Sequence, residues 1–145
     1  MSELTPNKDF ALQACVDWQE KLNFIGTAPS GHKVAIDPEK QVGASPMELI
    51  LLGLGGCASY DVVSILKKSR QDITDVSCQL SANRADTVPA VFTEIHLHFV
   101  ITGHNVGEKQ VEKAVQLSAE KYCSASQMLS AGGVKITHDF EIVAA

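Results

Sequence analysis

A chain of 145 residues, 45% hydrophobic and 20% charged, describes a single globular domain, 1–145, large enough to bury roughly 70% of its unfolded surface. A net charge of −5 without any basic or aromatic-basic cluster excludes nucleic acid as a main partner. The start lacks the basic and apolar runs of a secretory leader, and no charge-free run approaches the ~20 residues of a bilayer span, so a cytoplasmic protein with no membrane partner and reduced cysteines is expected.

Residues 1–9 read as a loosely paired start. From Phe10 the sequence alternates, with Phe10, Leu12, Ala14, Val16 and Trp18 on one face and Gln13, Cys15, Asp17 and Gln19 on the other. That is the pattern of a half-buried strand. Residues 21–27 and 32–37 are shorter apolar runs around the turn signal Ala28-Pro29-Ser30-Gly31. Together they predict an antiparallel meander, followed by a polar loop over 38–44.

Residues 45–70 (SPMELILLGLGGCASYDVVSILKKSR) are the stretch around which the chain is organised. Ser45 stands at a helix N-cap, Pro46 at the first helical position, and Glu48 three residues after the cap. Lys67, Lys68 and Arg70 sit where the helix dipole is negative. Residues 49–58 carry no charge, and a helix apolar on every side must be covered on every side. Gly53, Gly55 and Gly56 each cost a helix ~1 kcal/mol, which close approach of another backbone would explain. Gly53, Gly56, Cys57, Tyr60 and Ser64 share a face that could admit a second helix or a ligand. Asp61, one turn past Cys57, is a charge in apolar surroundings, suited to a lysine partner, a pocket or an interface salt bridge.

The period then returns to two. Val76, Cys78, Leu80 and Ala82 share one face of a strand over 75–85, and residues 86–89 turn. Residues 92–103 form the longest strand, with Thr93, Ile95, Leu97, Phe99 and Ile101 on one side and Glu94, His96, His98 and Thr102 on the other. A second helix is predicted over 107–129 on the spacing of Val111, Val115, Ala119 and Tyr122, stopped by Gly132-Gly133. Val134, Ile136, His138, Phe140 and Ile142 alternate as a last strand. The order β-β-β-α-β-β-α-β is an α+β arrangement with sheets covering a central helix.

Two cysteines, Cys57 and Cys123, fall on predicted helices. Cys15 and Cys78 fall in strands and read as small core hydrophobes. His96 and His98 share a strand face, but no cysteine or carboxylate completes a recognisable metal spacing, and a solvated face is the simpler reading. No phosphate loop, Ser-His-Asp order or CxxC motif is present.

The stretch SPMELILLGLGGCASYDVVSILKKSRQDI, followed some sixty residues later by LSAEKYCSASQML, resembles the OsmC/Ohr family of cysteine-dependent hydroperoxide reductases, most of all its small OsmC-like branch. The resemblance implies an OsmC-like fold in an entwined homodimer, with two long helices packed centrally and two active sites at the interface. It also implies that Cys57 is the peroxidatic thiol and Cys123 the resolving thiol, with no bound cofactor and no metal. The chemistry of those roles follows from sulfur: a thiolate attacks the O–O bond and becomes a sulfenic acid, which a second thiol converts to a disulfide. The apolar side chains of Leu49, Ile50, Leu52 and Leu54 suit an organic hydroperoxide.

The sequence also departs from the family pattern. The family's activating glutamate lies ten residues before the first cysteine, where this chain has Met47. Glu48, one step off, is the candidate catalytic carboxylate, with the capping box as its other reading. On a regular helix it lies ~13.5 Å from its own chain's Cys57. The family's N-terminal arginine is missing, since the chain's arginines are Arg70 and Arg84. Lys21, His32 or Lys33 are the substitutes at hand, none with arginine's planar fork. The expected function is reduction of small organic hydroperoxides, with a cellular dithiol, by resemblance a lipoylated protein, as reductant. The alternative is a non-catalytic dimer of the same fold that binds a small hydrophobic ligand or senses redox state.

Overall fold

The computed structural model describes residues 7–145. The chain divides into two compact units, and the division falls inside the long helix, between Ile50 and Leu51.

The first unit holds a three-stranded antiparallel sheet in the order β1 (Cys15–Glu20), β2 (Asn23–Thr27), β3 (Lys33–Ile36). Gly31, at φ +89°, takes the left-handed turn conformation that a side chain would strain, and Ala28 N–H donates to His32 O at 2.8 Å to close the hairpin. The loop to the helix is wound around one carboxylate. Asp37, 3% exposed, accepts the N–H groups of Glu39, Gln41 and Val42 at 2.9–3.0 Å. Those bonds, Val42's first, hold its pKa below the usual carboxylate range. The predicted meander is present, but its first strand begins at Cys15 rather than Phe10, and its apolar face is not inward. Phe10, Leu12, Val16 and Trp18 are all more than half exposed, because alternation fixes which residues share a face and not which face is covered. Of the loosely paired start predicted over 1–9, residues 1–6 lie outside the described residues.

The second unit is a sheet with helices on one side. β4 (Asp72–Arg84) runs antiparallel to the central β5 (Phe92–His104), and β6 (Lys135–Ala144) pairs with β5 in parallel. Ile95, Leu97, Phe99 and Ile101 of β5 are buried on the helix side, as their alternation predicts. α1 (Pro46–Lys68) buries the stripe Leu54, Ala58, Val62 and Leu66. By length and composition α1 is apolar enough to cross a bilayer, although its longest charge-free run ends at Asp61 as expected; its most buried stripe packs within the protein.

The helix predicted over 107–129 is three pieces. α2 (Glu108–Leu117) ends in one π-helical turn, Ser118–Tyr122, and a new helix, α3 (Ser124–Ala131), starts after Cys123. The wider π turn accommodates an extra residue, so the buried stripe is Val111, Ala114, Val115 and Ser118, while Tyr122 is half exposed. The element order is otherwise the predicted one, and the fold is α+β.

Candidate active site

The helix that carries Cys57 begins as its first turn predicts. Ser45 N–H donates to Glu48 Oε1 at 2.8 Å, and Glu48 N–H donates to Ser45 Oγ at 3.2 Å, a complete capping box. The carboxylate of Glu48 is therefore engaged at the helix start, and these bonds lower its pKa. The three glycines of α1 have different surroundings. A Cβ on Gly55 would come within 2.7 Å of Leu80 Cδ1, so β4 packs directly on the helix there, whereas Gly53 and Gly56 meet nothing within 4 Å. The four apolar side chains expected to line a substrate wall do not form one: Leu54 is fully buried, whereas Leu52 is 62% exposed.

Cys57 lies at the seam between the buried and open faces of α1, half-buried, and close enough to Cys123 to act on that thiol. Cys123 is fully buried and is itself the N-cap of α3, its Sγ accepting Ser126 N–H at 3.4 Å. The π turn delivers it there, with Cys123 N–H donating to Ser118 O at 2.8 Å, five residues back. All four cysteines are free thiols. Burial pushes the Cys123 thiol up to about 11, against the Ser126 N–H that favours the thiolate, and Cys57 and Asp61 raise it further.

Asp61 is not in an ion pair among the described residues. Its Oδ2 accepts the Ser118 hydroxyl at 3.1 Å, and Ser118 Oγ also lies 3.3 Å from Ala58 O, so one serine bridges α2's end to α1 beside both thiols. Sequence reasoning missed Ser118. Its one signal was position: a serine on the stripe that continues Val111 and Val115 must find a partner when buried. A narrow crevice of about 10 Å³ reaches Cys123 between Leu97, Phe99, Ile136 and His138, room for no more than one water molecule.

The remaining candidates fall elsewhere. Cys78, on the helix side of β4 beside Ser59, is raised by burial and is a core thiol. Cys15 donates to Asp17 Oδ2 at 3.6 Å. His96 and His98 are on the open side of the sheet, bound to carboxylates from β6: His96 Nε2 and His98 Nδ1 lie 2.9 and 2.6 Å from Asp139 Oδ1. Among the described residues no group of His, Cys, Asp or Glu has the geometry to hold a metal ion.

A β-β-β-α-β-β-α-β protein whose central helix presents one thiol to a second, buried thiol defines a class of small cysteine-bearing α+β proteins. The OsmC-like protein family model matches residues 38–139, and the chain belongs to that family. It is 47% identical to protein YhfA of Escherichia coli K12 over 135 residues, 92% of this chain and 100% of that protein. It also matches the crystal structure of a hypothetical protein from Aquifex aeolicus VF5, with 30% identity and a TM-score of 0.79 over 92% of this chain and 98% of that one. The fold recurs in an organic hydroperoxide resistance protein, OsmC, from Legionella pneumophila, at 19% identity and a TM-score of 0.67, covering 91% and 97% of the two chains.

Proposed function

We propose that the protein reduces organic hydroperoxides by thiol chemistry. Cys57 takes the distal peroxide oxygen and releases the alcohol. Its sulfenic acid condenses with Cys123 to a disulfide and water, and a cellular dithiol, such as a lipoylated protein, restores both thiols. The observation that carries this reading is the pairing itself: a partly exposed thiol on α1 near enough to act on a fully buried thiol at the cap of α3. Family membership and the hydroperoxide-resistance protein of the same fold support it. Glu48, occupied in its capping box, serves the helix in this scheme. The functional unit is a homodimer, whose second copy covers the open face of α1 around Gly53, Gly56 and Tyr60.

The test is to treat reduced protein with stoichiometric cumene hydroperoxide and map disulfides by mass spectrometry beside Cys57→Ser. A Cys57–Cys123 link and peroxide loss that the variant lacks are expected; the absence of both overturns the proposal. One observation favours a second reading, a dimer that senses redox state or binds a small hydrophobic ligand without turnover. The charged side chain acting on the Cys123 thiol is the carboxylate of Asp61 rather than a cation. Under that reading the disulfide forms once and catalytic peroxide consumption with a dithiol does not follow.

A further inference from the structure

We propose that Asp61 is the proton shuttle of disulfide formation, moving the Cys123 thiol proton onto the hydroxyl that leaves Cys57. This rests on the peroxide-reducing reading and assigns a role to a residue which that reading does not use.

The need for a shuttle follows from burial. With its pKa at about 11, Cys123 is a thiolate in roughly one molecule in 10⁴ at neutral pH. The neutral thiol is a poor nucleophile, and hydroxide is a poor leaving group from a sulfenic acid. The step balances without external acid or base if one group serves both ends. The Cys123 S–H bond breaks, its proton passes to the carboxylate, and its sulfur forms a bond to the Cys57 sulfur. The S–O bond breaks, and the departing hydroxyl takes the proton and leaves as water. Cys123 sulfur is oxidised and Cys57 sulfur is reduced to the disulfide level, the hydroperoxide having supplied the oxidation beforehand.

Asp61 is placed for both ends. It lies one helical turn after Cys57, a spacing that puts Cβ atoms ~5–6 Å apart on the same face. Its charge is felt at Cys123. Ser118, 1% exposed, holds one of its oxygens at 3.1 Å, which fixes the carboxylate and leaves the other oxygen free to exchange a proton. Other titratable groups are placed less well. Glu120, Lys121 and Tyr122 of the π turn are exposed. His138 of β6 lines the crevice beyond Cys123 but is absent from the groups that act on that thiol.

The alternative role, a bare negative charge that latches α1 to the π turn, makes the opposite kinetic prediction. Removing such a charge eases deprotonation of Cys123 and speeds the disulfide. The experiment is stopped-flow measurement of the disulfide-forming step, separated from Cys57 oxidation as the phase whose rate does not depend on cumene hydroperoxide concentration, in wild type, Asp61→Asn and His138→Gln. A shuttle predicts a wild-type rate nearly flat between about pH 6 and 8, and Asp61→Asn slower by about tenfold or more at neutrality, rising with hydroxide. His138→Gln keeps the wild-type profile. Asp61→Asn as fast as wild type, or a wild-type rate that itself climbs tenfold per pH unit, overturns the shuttle, and the second outcome decides even if the variant fails to fold. If wild type forms no Cys57–Cys123 disulfide at all, the peroxide-reducing reading fails and the shuttle with it.

Discussion

The two faces of α1 use the same residue types for opposite ends. On the inner face Leu54, Val62 and Leu66 are fully buried and Gly55 lets Leu80 of β4 reach the helix. On the outer face Leu52 and Tyr60 are 62% and 73% exposed, and Gly53 and Gly56 have open space where a side chain would be. The inner face is fully accounted for by its own chain. The outer face carries apolar and small residues that the described residues leave exposed, and an uncovered apolar helix face of this kind is what a partner helix would fill. Cys57 stands on the line between them, which is why it is both reachable and close to a buried thiol.

This contrast can be broken at either face. The largest effect is expected inside: Leu66→Ala leaves a cavity in the core and should lower stability by about 2–5 kcal/mol in thermal or urea melts. On the outer face, if the proposed dimer forms there, Gly56→Leu is expected to leave the secondary structure intact while shifting that dimer to monomer in analytical ultracentrifugation. A dimer unaffected by Gly56→Leu places the second copy elsewhere. A finer comparison sets Gly55→Ala against Gly53→Ala. Both gain helix propensity, but the first puts a Cβ against the end of the Leu80 side chain, which must give way, so Gly53→Ala should be the more stable by about 1 kcal/mol.

The smallest effect is expected on the open side of the sheet, the reference for what an exposed polar face contributes. Hydrogen bonds to Asp139 and then Glu141 raise the pKa of His98, so the protonated imidazole is the stabilised form. Its contribution is complete below the unfolded value of about 6.5 and is lost as pH rises through the higher folded value. His98→Gln should therefore lower the melting temperature slightly in mild acid and leave it unchanged in mild alkali. An equal shift at both pH values would mean that packing, not charge, is what the ring supplies.

What was legible in the sequence follows the same division between covered and uncovered faces. Ile95, Leu97, Phe99 and Ile101 alternate and are buried, because a sheet face against helices leaves a period-two record. The Ser45–Glu48 cap was equally plain, since its bonds are local. Val16 and Trp18 alternate as clearly yet point outward, because the pattern does not record which side another chain would cover. The break at Cys123 was hidden for two reasons: a sulfur N-cap is outside the usual Ser, Thr, Asp and Asn set, and a π turn has no local residue signature. The nearness of Cys57 to Cys123, 66 positions apart in the chain, was accessible only through the family resemblance, and the Ser118–Asp61 bond was not accessible at all.

The parallel pairing of β6 with β5 has a consequence for synthesis. Parallel neighbours need a crossover, and here it comprises residues 105–134, including both short helices and Cys123. On the ribosome β5 can pair with β4 as soon as both emerge, but its other edge must wait until the crossover and then β6 have followed. During that interval a central strand with six large apolar side chains presents a bare row of amide and carbonyl groups, an arrangement prone to capture by a stray strand. The last-made strand therefore does more than complete the sheet. It covers the open side of the central strand, and variants that delay its docking should be lost to aggregation during synthesis even where the finished protein would be stable.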